Sequence, residues 1–296
     1  MDIAVMGAGA VGCFYGAMLA QAGHKVTLIA RPHHAEAIMR HGLILERQGQ
    51  AAHVPVQASA DPASLAGASL VLFCVKSNDT QSAGADMAPH VRPEAQILSL
   101  QNGVDNATRL AEQLGRNVEP AVVYVAAEMA GAGHVKHHGR GELVLGPSAG
   151  NIVLAEIFGA AAIPTAISDN VIGALWAKLI LNCAYNALSA IARQPYGKLV
   201  QTAGVNEVIR DVVEECLAVA AALSITIPGD IWAAVRQIAD TMPTQFSSTS
   251  QDLTRGKVTE IDYLNGYIVR RGKDIGMPTP ANRVLHTLVK LLENVT

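Results

Sequence analysis

Ile3-Ala4-Val5-Met6-Gly7-Ala8-Gly9-Ala10-Val11-Gly12 is the stretch whose reading decides the fold of this chain. Ile3–Met6 is a short apolar run of the kind that forms a buried strand, and Val11–Ala22 carries apolar residues at helical period. Between them stands a GxGxxG turn. Gly7 allows the tight turn, Gly9 lets backbone approach a pyrophosphate, and Gly12 permits close packing of helix on strand. The helix start then offers N–H groups and the positive end of its dipole to the phosphates. Alone, GxGxxG is weak; between a strand and a helix it is strong. Gly7, Ala8, Gly9, Ala10, Val11 and Gly12 are therefore the expected dinucleotide-binding turn. Gly131-Ala132-Gly133 lacks the spacing and reads as an ordinary turn.

Outward from this turn, the first half alternates short apolar runs with longer mixed segments. Val26–Ala30, Leu70–Val75, Ile97–Leu100 and Ala121–Val125 read as strands, and Ala107–Leu114 as a helix. Strands alternating with helices imply a doubly wound α/β fold of Rossmann type, with a parallel sheet. His134–Leu145 reads as an antiparallel excursion with Gly139, Gly141 and Gly146 as turns. From about Ser168 the texture becomes helical: Asn170–Arg193, Val205–Leu223, Thr259–Ile275 and Ala281–Glu293. Gly276 is the expected stop of one helix; Thr279 and Pro280 are the expected N-cap and first residue of the last. The expected domains are residues 1–167, binding a dinucleotide, and 168–296, an all-α unit.

The strand at Lys25–Ala30 ends in Arg31, with no acid before Glu36. A carboxylate there would accept from the ribose hydroxyls of NAD, whereas a guanidinium binds a 2′-phosphate by charge-assisted hydrogen bonds. NADP(H) is thus the expected cofactor; the plainer alternative leaves Arg31 as a solvated loop residue. Lys76 and Asn102 also follow strands at the edge where a parallel sheet binds its ligand. Lys76 suits a phosphate or carboxylate, and Asn102 suits the nicotinamide ribose or the substrate, although Asn-Gly is also a common turn pair. In the helical half, Lys178, Asn182 and Asn186 recur every fourth residue and line one helix face over ~12 Å. They can meet a ligand or hydrogen-bond neighbouring helices. Ser248 with Gln251 fits a capping box, and Thr259 fits an N-cap with Glu260 in the first turn.

Composition closes off other classes. The 296 residues are 50% hydrophobic and 16% charged with a net charge of −3, so the chain is globular and has no basic tract for nucleic acid. Cys13, Cys74, Cys183 and Cys216 form no CxxC and read as reduced core thiols; the histidines fall in no metal-binding pattern. The longest nearly uncharged stretch, Ile157–Ile167, is too short to span a membrane and is broken by Pro164. Residues 1–20 have no basic start and read as structure rather than leader, which points to a cytoplasmic protein.

Taken in order, GAGAVG at 7–12, Arg31, Lys76, QNG at 101–103, WAKLILNCAYNA from Trp176, SSTSQD from Ser247, TEIDYLNG from Thr259 and GMPTPANR from Gly276 resemble the ketopantoate reductase (2-dehydropantoate 2-reductase) family across both halves. The resemblance implies an NADPH-dependent oxidoreductase reducing a 2-oxo acid to a D-2-hydroxy acid in pantothenate (vitamin B5) biosynthesis. It also implies a C-terminal domain of the 6-phosphogluconate dehydrogenase-like type, with substrate in the cleft between the domains. By matching position, Lys178 is the catalytic proton donor and Glu260 supports the substrate, the lysine or the cofactor. Asn182, Asn186 and Ser248 hold the substrate, and Asn102 touches cofactor and substrate. Thr249 and Ser250 are smaller and more polar than the Met-containing segment of the resembled pattern, so a pocket lined by them would prefer a different acyl chain. The alternatives are another D-2-hydroxy-acid dehydrogenase on the same scaffold and a non-catalytic NADP(H) sensor. Expected partners are a small 2-oxo acid, with surface enough for a homodimer, and neither nucleic acid nor membrane.

Overall fold

Along the chain the first half runs β1 (Asp2–Met6), α1 (Ala10–Gln21), β2 (Lys25–Ile29), α2 (Pro32–His41), β3 (Leu43–Arg47), β4 (Gln50–Val54) and β5 (Gln57–Ser59). It continues through β6 (Leu70–Phe73), α3 (Thr80–Met87), β7 (Gln96–Ser99), α4 (Asn106–Leu114), β8 (Glu119–Gly131), β9 (His134–Leu145), α5 (Ala149–Ala160) and β10 (Thr165–Ile167). This is a computed structural model, and it describes residues 1–294. The strands form one sheet in the order β4-β3-β9-β8-β7-β6-β1-β2-β5, with β10 beside β9. β1 lies parallel between β2 and β6, so the crossover places a topological switch point at the carboxyl ends of β1 and β6.

Both faces of that sheet are covered, and β1 shows why its residues are all apolar. Ile3 and Val5 join a core formed with α1, β2 and β9, while Ala4 and Met6 join the opposite core with Val71, Phe73, Ile97 and Leu110. Alternate side chains point to opposite faces, so a strand buried on both sides reads as a continuous apolar run.

The antiparallel excursion is the β8–β9 pair. Gly139 and Gly141 are not its turns, as the sequence suggests: they lie inside β9 at φ +148° and +142°. The register against β8 shifts at Tyr124/Val125, where Gly141 is the extra bulge residue, and at Ala126/Ala127, where the extra residue is His138 beside Gly139. A Cβ on Gly141 would sit 3.2 Å from the Phe14 ring of α1. The turn itself is carried by Gly133 at φ +71°.

The chain divides into two units, Met1–Val171 and Ile172 onward. The second is helical: α6 (Val171–Ala192), α7 (Tyr196–Leu199), α8 (Val205–Ala222), α9 (Ile231–Thr241), α10 (Ser248–Thr254), α11 (Asn265–Asp274) and α12 (Pro280–Glu293). Thr279 and Pro280 do open α12, and Gly276 at φ +70° follows α11. Two expectations are displaced. α10 is capped by Ser247, whose Oγ accepts from Ser250 N, so Ser248 is the first helical residue and not the cap. α11 starts at Asn265 rather than Thr259, because Ile261–Tyr263 form a separate 3-10 turn. The segment best suited by length to span a membrane is not 157–167 but α6, 22 residues with a mean hydropathy of 1.4. Of its most apolar window, 61% is buried inside the protein, the packing of a core helix.

Candidate active site

In the first unit the glycine turn leaves β1 at the switch point. Gly7 has φ +99°, and a Cβ there would lie 2.6 Å from the Val75 nitrogen, so only glycine fits beside the β6 loop. Gly12 is closed off by the Gly7 carbonyl and by Val5 Cγ1 at 2.8 Å, and Gly16 by Leu28 at 2.7 Å; α1 therefore rests directly on β1 and β2. Gly9 differs: nothing lies within 4 Å of the place a Cβ would occupy. The N–H groups of Gly7 and Ala8 are committed to the Ile29 carbonyl at 3.1 and 2.9 Å. Those of Ala10, Val11 and Gly12 open α1, and no side chain caps it. Space over Gly9 beside an uncapped helix start fits the pyrophosphate of a dinucleotide.

Around this turn stand the other expected groups. Arg31 precedes α2, is 81% exposed, and lies 3.8 Å from Asp79. Lys76 is half-buried at the head of the 3-10 turn Ser77–Asp79. Asn102 is half-buried after β7, and its carbonyl accepts from Ser77 Oγ at 3.1 Å and from the Asn106 amide.

Beneath Lys76 and Asn102 lies a buried polar network that sequence reading did not single out. Gln101 donates to Val75 O at 3.1 Å and Thr80 Oγ1 at 2.8 Å, and accepts from Ser99 Oγ at 2.9 Å. Asn106 donates to Ser77 Oγ at 3.0 Å and accepts from Arg109 Nη1 at 3.1 Å. Arg109 also donates to Ser77 O at 3.2 Å. These bonds lock the loops after β6 and β7 together, which fixes the backbone carrying Lys76 and Asn102. The signal available was that Gln101 adjoins Asn102; its burial was not readable.

A histidine of α2 ties that helix to the β8–β9 turn and to α1. His34 Nδ1 accepts from the Gly133 N–H at 2.9 Å, and its Nε2 lies 3.6 Å from Cys13 Sγ. Burial lowers the His34 pKa from its ordinary value and pushes the Cys13 thiol up to about 12. Both are neutral packing groups at physiological pH, not a nucleophilic pair.

In the second unit α6 carries the polar face. Lys178 and Asn182 are half-buried and Asn186 is buried. Asn186 Oδ1 accepts from Tyr196 Oη at 3.3 Å, which leaves its NH2 as the end able to donate elsewhere. Ser247 is pinned to the same helix, its Oγ donating to Asn186 O at 3.0 Å and its N–H donating to Ser189 Oγ at 3.2 Å. This fixes the start of α10. There Ser248 is exposed, whereas Thr249 and Ser250 are buried. Asn265 binds α11 to α6 and α12, donating to Cys183 O at 3.2 Å and Asn282 Oδ1 at 2.9 Å.

Glu260 is half-buried and precedes the 3-10 turn, held between two ties to α12. On one side Thr259 donates through N and Oγ1 to Glu293 at 2.8 and 2.6 Å. On the other, Asp262 meets His286 at 2.6 Å and Lys290 at 3.0 Å. The His286 hydrogen bond, then that of Lys290, holds the Asp262 carboxyl down at about 2. Thr259 thus opens no long helix: its Oγ1 accepts from Ile261 N at 3.2 Å, and Glu260 stands at the N-cap of the 3-10 turn. Among the described residues no group of three His, Cys, Asp or Glu is placed to hold a metal ion.

A glycine turn at the switch point of a parallel sheet, followed by a helical unit with a lysine–asparagine face, defines the class of two-unit Rossmann oxidoreductases. Within it, residues 3–150 match the family model "Ketopantoate reductase PanE/ApbA" and 170–293 its C-terminal counterpart. The chain belongs to the ketopantoate reductase family. It is 32% identical to the 2-dehydropantoate 2-reductase of Pyrococcus horikoshii, over 100% of this chain and 98% of that one. A PanE/ApbA family ketopantoate reductase from Ralstonia eutropha superimposes with a TM-score of 0.97 at 61% identity, covering 100% of this chain and 99% of that one. D-mandelate dehydrogenase, solved with NADH and anilino(oxo)acetate, gives 0.91 at 26% identity over 100% and 99%.

Proposed function

We propose that the protein reduces 2-dehydropantoate to D-pantoate with NADPH, a step of pantothenate synthesis. The observation that carries this reading is that one chain holds both an open, uncapped glycine turn in its first unit and the Lys178–Asn182–Asn186 face in its second, and that its full-length relatives bear that activity's name. When bound, the reduced nicotinamide supplies a hydride to the 2-oxo carbon. The ammonium of Lys178 stabilises the negative charge built on the carbonyl oxygen and gives it a proton. The Asn186 NH2 and the amide of Asn182 orient the substrate carboxylate and hydroxyl without adding charge, with Ser248 as a further donor. Glu260, fixed between its ties to α12, supports the lysine or the ribose and substrate hydroxyls. Arg31 and Lys76 meet the 2′-phosphate and the diphosphate, and Asn102 the nicotinamide ribose.

Rates of NADPH oxidation with 2-dehydropantoate, set beside pyruvate, 2-oxoisovalerate and phenylglyoxylate and repeated with NADH, test it. The expected result is the highest kcat/KM for 2-dehydropantoate, with NADPH preferred. Lys178→Ala is expected to keep the NADPH Kd within a few-fold while kcat falls by about 10²- to 10⁴-fold; near-normal turnover removes Lys178 from the chemistry. The second reading is a D-2-hydroxy-acid dehydrogenase for another 2-oxo acid. The likeness to D-mandelate dehydrogenase favours it, and preference for phenylglyoxylate would establish it while keeping the same residues in the same roles.

A further inference from the structure

Arg31 and Asp79 come from different loops, one after β2 and the other after β6, and their side chains meet at 3.8 Å. Asp79 is well placed and locally unemployed. Its N–H donates to Lys76 O at 2.8 Å and its carbonyl accepts from Ser82 Oγ at 3.2 Å, so the backbone is fixed. Yet its carboxylate makes no cap to α3, at whose N-terminus it stands. An aspartate is helpful at that position for the helix alone, but this one is turned across to the guanidinium. We propose that Asp79 is a specificity-determining residue, which sets the balance between 2′-phosphorylated and unphosphorylated dinucleotides. The inference rests on the reading of the glycine turn and Arg31 as the dinucleotide site.

The physical argument is competition. Where β2 ends without an acid of its own, Asp79 brings one to the same guanidinium from the neighbouring loop. A 2′-phosphate must displace that carboxylate from Arg31 and then bear its repulsion at close range. An unphosphorylated ribose instead finds an acceptor for its 2′-hydroxyl. The pair is solvated, with side chains 81% and 50% exposed, so it yields readily to a doubly charged, multidentate phosphate. The consequence is a graded preference for NADPH over NADH rather than a strict one.

The test measures Kd for NADPH and for NADH by nicotinamide fluorescence on wild type, Asp79→Asn, Arg31→Ala and the double variant, at low and high salt. The expected result for Asp79→Asn is a rise of about five- to tenfold in the NADPH:NADH affinity ratio, from tighter NADPH and unchanged or weaker NADH. That gain is expected to shrink at high salt and in the Arg31→Ala background. Equal effects on both dinucleotides, or none, while Arg31→Ala still selectively weakens NADPH, overturn the role of Asp79 alone. Wild type that binds neither dinucleotide overturns the underlying reading, and the proposal falls with it. Because the Asp79 side chain is half exposed and the change nearly isosteric, circular dichroism of the variant is expected to match wild type.

Discussion

Two glycines three residues apart illustrate how one motif serves two physical ends. Gly12 is filled on all sides: a Cβ there would meet the Gly7 carbonyl and Val5. Gly9 faces open space. Gly12→Ala is therefore expected to destabilise the fold by about 1–3 kcal/mol through overpacking, read as a lowered urea midpoint. Gly9→Val is expected to leave that midpoint nearly unchanged and to weaken NADPH binding severely, because the side chain occupies the place of the pyrophosphate. A Gly9 variant that unfolded early, or bound NADPH normally, would show the turn to be structural only. The GxGxxG pattern made these positions visible because glycine is a backbone requirement, and such requirements are written locally. Asn106 and Gln101 were not visible for the opposite reason: their importance comes from burial beside Ser77 and Thr80, more than twenty residues away in the chain.

At the scale of elements, strands and long helices were legible and short polar segments were not. α6, α8 and α12 follow apolar periodicity, which one face of each must satisfy, and β1 reads as a continuous apolar run because both its faces are buried. α10 and the 3-10 turn before α11 have almost no apolar face, and tertiary partners decide their ends. Ser247 becomes the cap because Asn186 O and Ser189 Oγ hold it, and Glu293 claims Thr259. The Glu260 segment therefore depends on charges in α12. Asp262 ordinarily has a pKa of 3.8 and is held at about 2 in the fold by His286 and Lys290. A depressed carboxyl stabilises fully above the unfolded value, and that stabilisation is lost as pH falls from about 4 to about 2. Asp262→Asn is expected to remove this part of the acid dependence. Unfolding midpoints measured at pH 7, 4 and 2.5 should fall less steeply in the variant than in wild type between the last two. Parallel acid curves would mean that the tie contributes nothing to stability.

For the molecule as a whole, four free thiols report on each unit separately: Cys13 and Cys74 in the first, Cys183 and Cys216 in the second. Cys13, Cys183 and Cys216 are buried, and desolvation raises the pKa of Cys13, Cys74 and Cys183 above the ordinary thiol range. A buried thiol that is also reluctant to ionise reacts only when its surroundings open. Native protein at pH 8 is thus expected to resist iodoacetamide, with all four cysteines alkylated in denaturant. Ligand linkage then locates the dinucleotide. A ligand at a hundred times its Kd stabilises the state that binds it by about 2.7 kcal/mol. If NADPH sits on the glycine turn, saturating NADPH raises the urea concentration at which Cys13 and Cys74 become labelled, read residue by residue by mass spectrometry. Cys74 belongs to the loop that closes against Gly7, so its protection should be at least as large as that of Cys13. Protection confined to Cys183 and Cys216 would place the dinucleotide on the helical unit and overturn the assignment of the turn.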